Sequence, residues 1–92
     1  MKYQIKVDKK ASKALAKLPK KVRRQIADKV DDLAKDPFPQ DCMPIGSVKR
    51  NDVYRIKSGN YRIGYQVKER MILILVLRIG HRKDFCKYFE RL

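Results

Sequence analysis

The sequence predicts an α+β fold in the order β-α-α-β-β-β-α: an N-terminal strand, an αα-hairpin, a three-stranded antiparallel meander packed on the helices, and a short C-terminal helix. Three observations carry this expectation. Residues 2–7 alternate polar and apolar side chains, residues 11–33 carry apolar side chains at helical spacing, and residues 53–79 return to strand-like runs split by turn residues. At 92 residues the chain is read as a single domain, 1–92, with one core and no room for a second.

Each element has its own reason. Tyr3, Ile5 and Val7 alternate with Lys2, Gln4 and Lys6, the period of a half-buried strand. Asp8 stands where an N-cap belongs, ahead of Ala11, Ala14, Leu15 and Leu18. Pro19 interrupts that stripe. A second one, Val22, Ile26, Val30 and Leu33, runs to Asp36-Pro37, where the residue before a proline avoids the helical region. Two helices joined by a tight turn follow. Pro39, Pro44 and Gly46 mark residues 37–52 as a loop. Val53–Lys57 and Tyr61–Val67 read as strands around Ser58-Gly59-Asn60, since Gly and Asn tolerate positive φ. A turn at Lys68-Glu69-Arg70 leads into Met71–Ile79, whose continuous apolar character predicts a central strand covered on both faces. Gly80 is expected to end that strand, and residues 83–92 to form the last helix.

Composition narrows the functional classes. Twenty-four Lys and Arg against ten Asp and Glu give a formal net charge of +14. Such a field destabilises the compact state by self-repulsion, which a polyanionic partner would offset. A hydrophobic fraction of 43% argues against wholesale disorder. Cys42 and Cys86 match no metal-ligand spacing and no disulfide framework, as expected for thiols in a reducing cytosol. Residues 1–5 lack the apolar core of a signal peptide, and the Met71–Leu77 run is far too short to span a bilayer. A cytoplasmic protein with no membrane association and no metal or cofactor is expected.

One polar constellation stands out in the second half. Strand alternation puts Arg55 and Lys57 on one face, and Arg62 with Gly64 on one face of the next strand. The apolar sets are expected to face the helices, which leaves Arg55, Lys57 and Arg62 together on an open surface with a hollow at Gly64. Arg78 can join from the third strand. Gly80-His81-Arg82 then presents an imidazole and a guanidinium near the sheet edge, and Tyr88 follows. On the helices, Lys and Arg opposite the apolar stripe need no explanation beyond solvation. A lone histidine is more often structural than catalytic. The cations around Arg62 and Arg82 are better equipped to grip a phosphodiester.

The run Val53-Tyr54-Arg55-Ile56-Lys57-Ser58-Gly59-Asn60-Tyr61-Arg62-Ile63-Gly64-Tyr65, with Arg78-Ile79-Gly80-His81-Arg82-Lys83, resembles the RelE/ParE superfamily of toxin–antitoxin toxins. The opening strand and αα-hairpin agree, so the resemblance covers essentially the whole chain. It implies a RelE-like fold, a complex with a cognate antitoxin, and, in the RelE branch, ribosome-dependent cleavage of mRNA in the A site, which inhibits translation. Carried over residue by residue, it implies catalytic roles for Lys57, Arg62, Arg82 and Tyr88, with Arg55 where a second lysine often stands. Many relatives place the tyrosine where this chain has Cys86; others place it where Tyr88 stands. Arg78, His81, Lys83 and Phe85 complete the expected RNA-binding surface, Phe85 as a stacking platform for a base. The ParE branch, which inhibits DNA gyrase, and a non-catalytic nucleic-acid-binding module are the alternatives.

No Glu/His pair of the usual ribonuclease kind is evident. The expected reaction is attack by the RNA 2′-hydroxyl on the adjacent phosphate, giving a 2′,3′-cyclic phosphate and a 5′-hydroxyl. Lys57 or Tyr88 would assist deprotonation, and the sequence leaves that choice open. Arg55 cannot, because a guanidinium keeps its proton in proteins.

Overall fold

A computed structural model describes residues 2–44 and 53–83. Strand β1 (Gln4–Val7) leads into helices α1 (Lys9–Ala16) and α2 (Lys20–Lys35). Strands β2 (Met43–Pro44), β3 (Val53–Ser58), β4 (Tyr61–Lys68) and β5 (Leu73–His81) follow. One sheet has the order β1-β5-β4-β3-β2, parallel between β1 and β5 and antiparallel elsewhere.

The helices form where the residues dictate. Asp8 is extended and its side chain accepts from the Lys10 N–H at 3.3 Å, which makes it the N-cap of α1. Pro19 directly precedes α2, where its missing N–H leaves no donor unsatisfied. At the far end Asp36 is extended ahead of Pro37 and its side chain accepts from the Phe38 N–H at 3.1 Å, so helix turns to loop within two residues. Ile26, Val30, Leu33 and Ala34 of α2 are buried, as is Ala11 of α1. Helix α1 lies along β5, and α2 along β1 and β3. The core therefore sits between the helices and one sheet face, built on Ile26, Leu33, Ile56, Ile63, Tyr65, Ile74 and Val76. Each such side chain contributes about 1.5–3 kcal/mol on leaving water.

Three features differ from expectation. Met43 and Pro44, read as loop, form a two-residue edge strand on β3, too short to leave a periodic signal and closed by a proline that has no N–H to donate. The last strand starts at Leu73: Glu69–Met71 make a 3-10 turn and Ile72 adopts φ +50, a strained value for a β-branched residue. It also continues through Gly80 to His81, because Gly80 pairs with Arg62 and His81 with Tyr61. It is central, between β1 and β4, but its second face is only partly covered, since Leu75, Leu77 and Arg78 are half-buried. The expected C-terminal helix, with Tyr88 and Phe85, lies outside the described residues.

Irregular pairing between β4 and β5 is the other feature that places the site. Gly64 opposes Arg78 but Tyr65 opposes Val76, so Leu77 is an extra residue, a β-bulge. Ile79, Val76 and Ile74 all reach the helix side as a result, although 79 and 76 are three apart. Among the described residues no helix is long and apolar enough to cross a membrane.

Candidate functional site

Residues directly opposite in an antiparallel pair share a face, so the register assigns the polar surface without ambiguity. Lys57 opposes Arg62, and Arg62 opposes Gly80. Arg55 opposes Gly64, and Gly64 opposes Arg78. These two adjacent rows lie on the sheet face away from the helices, as the alternation predicts. Met43 joins the second row from β2, where Arg55 Nη2 lies 3.8 Å from its Sδ.

Within that face the cations differ in freedom. Lys57 is exposed. Arg62 is half-buried, and its Nη1 donates to the Gly59 and Tyr61 carbonyls, both at 3.1 Å. Arg78 stands in the row, but its Nη1 is engaged by Asp8 Oδ2 at 3.3 Å and by the Leu77 carbonyl at 2.7 Å, with its side chain 19% exposed. Gly64, expected to leave an open hollow, is itself buried between the Arg55 and Arg78 positions.

The strand end behaves differently. Tyr61 and His81 oppose each other two residues beyond the Ile63–Ile79 pair, which puts them on the helix side of the sheet. Their rings meet edge to face with centroids 5.6 Å apart, and His81 Nδ1 accepts from the Lys83 N–H at 3.2 Å. His81 is thus on the opposite face from Lys57 and Arg62. Arg82, exposed and just past the strand, has its backbone N–H donating to the Asn60 carbonyl at 2.8 Å. Lys83 is exposed beside it. The structure therefore gathers Arg55, Lys57 and Arg62 on one face with Arg82 tethered to the same hairpin turn. It sets Arg78 into an ion pair and His81 behind the sheet. Tyr88 and Phe85 fall outside the described residues.

Sequence reasoning missed three contributors. Asp8 was legible as a cap but not as the counter-ion of a residue seventy positions away. Main-chain carbonyls of Gly59 and Asn60 hold both arginines, and backbone acceptors leave no trace in residue type. Asp41 precedes β2, the strand that pairs with β3, and bonds Lys29 Nζ at 3.0 Å. That hydrogen bond holds the Asp41 carboxyl below its ordinary range, and the nearby Lys57 charge adds to the effect.

Chemically, the described residues offer the exposed Lys57 amine, a guanidinium oriented by two carbonyls, and a second guanidinium anchored through its backbone. It suits a phosphodiester better than a small anion, because the cations are spread along a sheet face. The chain is similar to several known proteins. The family model of the ParE toxin of type II toxin–antitoxin systems, parDE, matches residues 5–84. A chain of Escherichia coli provisionally named a RelE-like toxin protein is 30% identical over 86 residues, spanning 90% of this chain and 86% of that one. A chain of the archaeal RelE–RelB complex from Pyrococcus horikoshii is 32% identical, with TM-score 0.78 over 89% of this chain and 97% of that one. An arginine double mutant of the E. coli toxin RelE in its free state is 26% identical, with TM-score 0.78 over 100% and 99%.

Proposed function

The chain belongs to the ParE toxin family of type II toxin–antitoxin systems, within the RelE/ParE superfamily, and from that premise we propose that it is a ribosome-dependent endoribonuclease that cleaves mRNA in the A site. The observation that carries this reading is the register of the hairpin: Lys57 and Arg62 are cross-strand partners on one exposed face, with Arg82 tied to the turn between them. A cognate antitoxin is the expected partner, as in the RelE–RelB complex that the fold resembles. A surface with formal charge +14 is offset by acidic residues of such a partner or, in its place, by RNA. The site of action is the cytoplasm, where ribosomes are.

In this mechanism the 2′-hydroxyl attacks the adjacent phosphorus, the P–O5′ bond breaks, and a 2′,3′-cyclic phosphate and a 5′-hydroxyl result. Arg62 faces the phosphorane, where charge appears and a preoriented donor is most effective. Arg82 stabilises the charge on the leaving 5′-oxygen, which takes its proton from solvent to become the 5′-hydroxyl. Lys57 is the exposed amine of the row and assists removal of the 2′ proton, a role that Tyr88 could share. His81 is a poor candidate for the acid, because it stands on the other face with Nδ1 already accepting. A site of cations without a dedicated acid–base pair suits an enzyme whose large host positions the substrate, since positioning alone lowers barriers by as much as about 7–11 kcal/mol.

Primer extension on mRNA from cells expressing the protein tests this. Codon-phased cuts confined to translated RNA are expected, and Arg62→Ala should reduce them by at least about 100-fold with the fold intact. Undiminished cleavage by that variant would remove Arg62 from the mechanism. A second reading has one observation in its favour, the ParE name of the matching family model. Gyrase-linked DNA damage without mRNA cuts would establish it.

A further inference from the structure

The two arginines of the proposed site share one support. Three consecutive carbonyls, those of Gly59, Asn60 and Tyr61, span the β3–β4 turn and the first residue of β4. The first and third accept from Arg62 Nη1, each at 3.1 Å, and the second accepts from the Arg82 backbone N–H at 2.8 Å. One guanidinium is therefore oriented through its side chain, and the other is carried on a backbone pinned to the same turn. Arg62 Nε and Nη2 make no hydrogen bond among the described residues, so an edge of the fork stays free for an anion.

The aim of those carbonyls depends on Gly59. Its φ is +59°, a conformation that L side chains rarely adopt, whereas Asn60 keeps a negative φ. A Cβ built on Gly59 meets nothing within 4 Å, so glycine is needed there for its backbone and not for space. Positive φ at the first turn position alone is the type II′ pattern, in which glycine leads.

We propose that the Gly59–Asn60 turn is a positioning device for the cleavage reaction, aiming Arg62 and fixing the backbone of Arg82 so that both cations converge on one phosphodiester. This rests on the assignment of Arg62 and Arg82 to the reaction made above. Gly59 and Asn60 touch no substrate; they act through the arginines. Loss of their geometry should slow the bond-breaking step and leave toxin binding to the ribosome unchanged, because the charges remain and only their orientation is lost.

The chain is short enough for chemical ligation, which allows Gly59 to be replaced by L-alanine or by D-alanine. A D-residue favours positive φ, so the two variants differ in turn conformation and hardly in composition. Single-turnover cleavage of end-labelled mRNA on ribosomes is measured against toxin concentration. At saturation Gly59→Ala as the L-residue should be about 10–100-fold slow with half-saturation unchanged, and the D-residue should stay within about threefold of wild type. No loss in the L-variant, or equal loss in both, overturns the proposal. If the L-variant fails to fold, an ester in place of the Arg82 amide decides: it deletes the bond to Asn60, leaves the turn intact, and should slow cleavage about tenfold. An unchanged rate for the ester would overturn the Arg82 half. Full activity of Arg62→Ala in the same assay would instead sink the underlying assignment, whatever the Gly59 variants did.

Discussion

Tyr65 shows how much one side chain can hold in place. It is fully buried in the core, and its hydroxyl donates to the Pro37 carbonyl at 2.7 Å, which ties β4 to the end of α2. Burial pushes the phenol up from its ordinary 10.0, and the adjacent Cys42 adds to the shift. A raised value means that the neutral phenol's contribution is complete below pH about 10 and is lost as pH rises beyond it, when the unfolded chain can ionise and the folded one cannot. At pH 8 Tyr65→Phe should lower unfolding free energy by about 1–3 kcal/mol, because the Pro37 carbonyl loses its partner. Urea titrations above pH 10 should show that gap narrowing; a gap that widened there would contradict the burial argument. At this scale the candidate site was half legible. Lys57 and Arg62 follow from strand parity, which needs only counting. The engagement of Arg78 by Asp8 was hidden, because an ion pair across seventy positions depends on β1 lying parallel to β5, and nothing in residues 2–8 announces which strand they will join.

Among the elements, the helices and the β3–β4 hairpin were the most readable, since apolar stripes, prolines and Gly59 each act locally. Strand β2 was not, because two residues have no period. The boundaries of β5 were misplaced by the apolar Met71 and Ile72, which belong to a turn whose conformation no hydrophobicity pattern records. The junction of β1 and α1 turns on Asp8, which caps the helix and holds Arg78 at once. Asp8→Ala should cost about 1–2 kcal/mol, the usual loss of a cap, and lower the melting temperature by about 4–8 °C for each kcal/mol. Asp8→Ser keeps a capping oxygen and drops the charge, so its melting point should fall between wild type and Ala. Equal melting of the two variants would show that the cap contributes nothing.

For the molecule as a whole, charge and sheet architecture work together. The described residues contain two ion pairs, Lys29–Asp41 and Arg78–Asp8, against a formal net charge of +14. Of the two only Lys29–Asp41 is exposed on both sides, where a pair contributes about 0–1 kcal/mol, so screening should relieve more repulsion than attraction. The free protein should melt several degrees higher as salt rises from about 20 to 300 mM, where the screening length falls below about 10 Å. A melting temperature that fell with salt would mean that the ion pairs outweigh the self-repulsion. The bulge at Leu77 has a consequence of another kind. It shifts the phase of β5 halfway along, so the first half counts in step with β1 and the core while the second half counts in step with the cationic rows of β3 and β4. Point substitutions at Ile74 or Ile79 stay local. Plain alternation through Leu77 would turn Arg78 to the core side and Ile79 to the cationic side, whereas deleting Leu77 would remove the bulge and leave both where they are. The sheet keeps an apolar side and a cationic side because one strand is read in two frames.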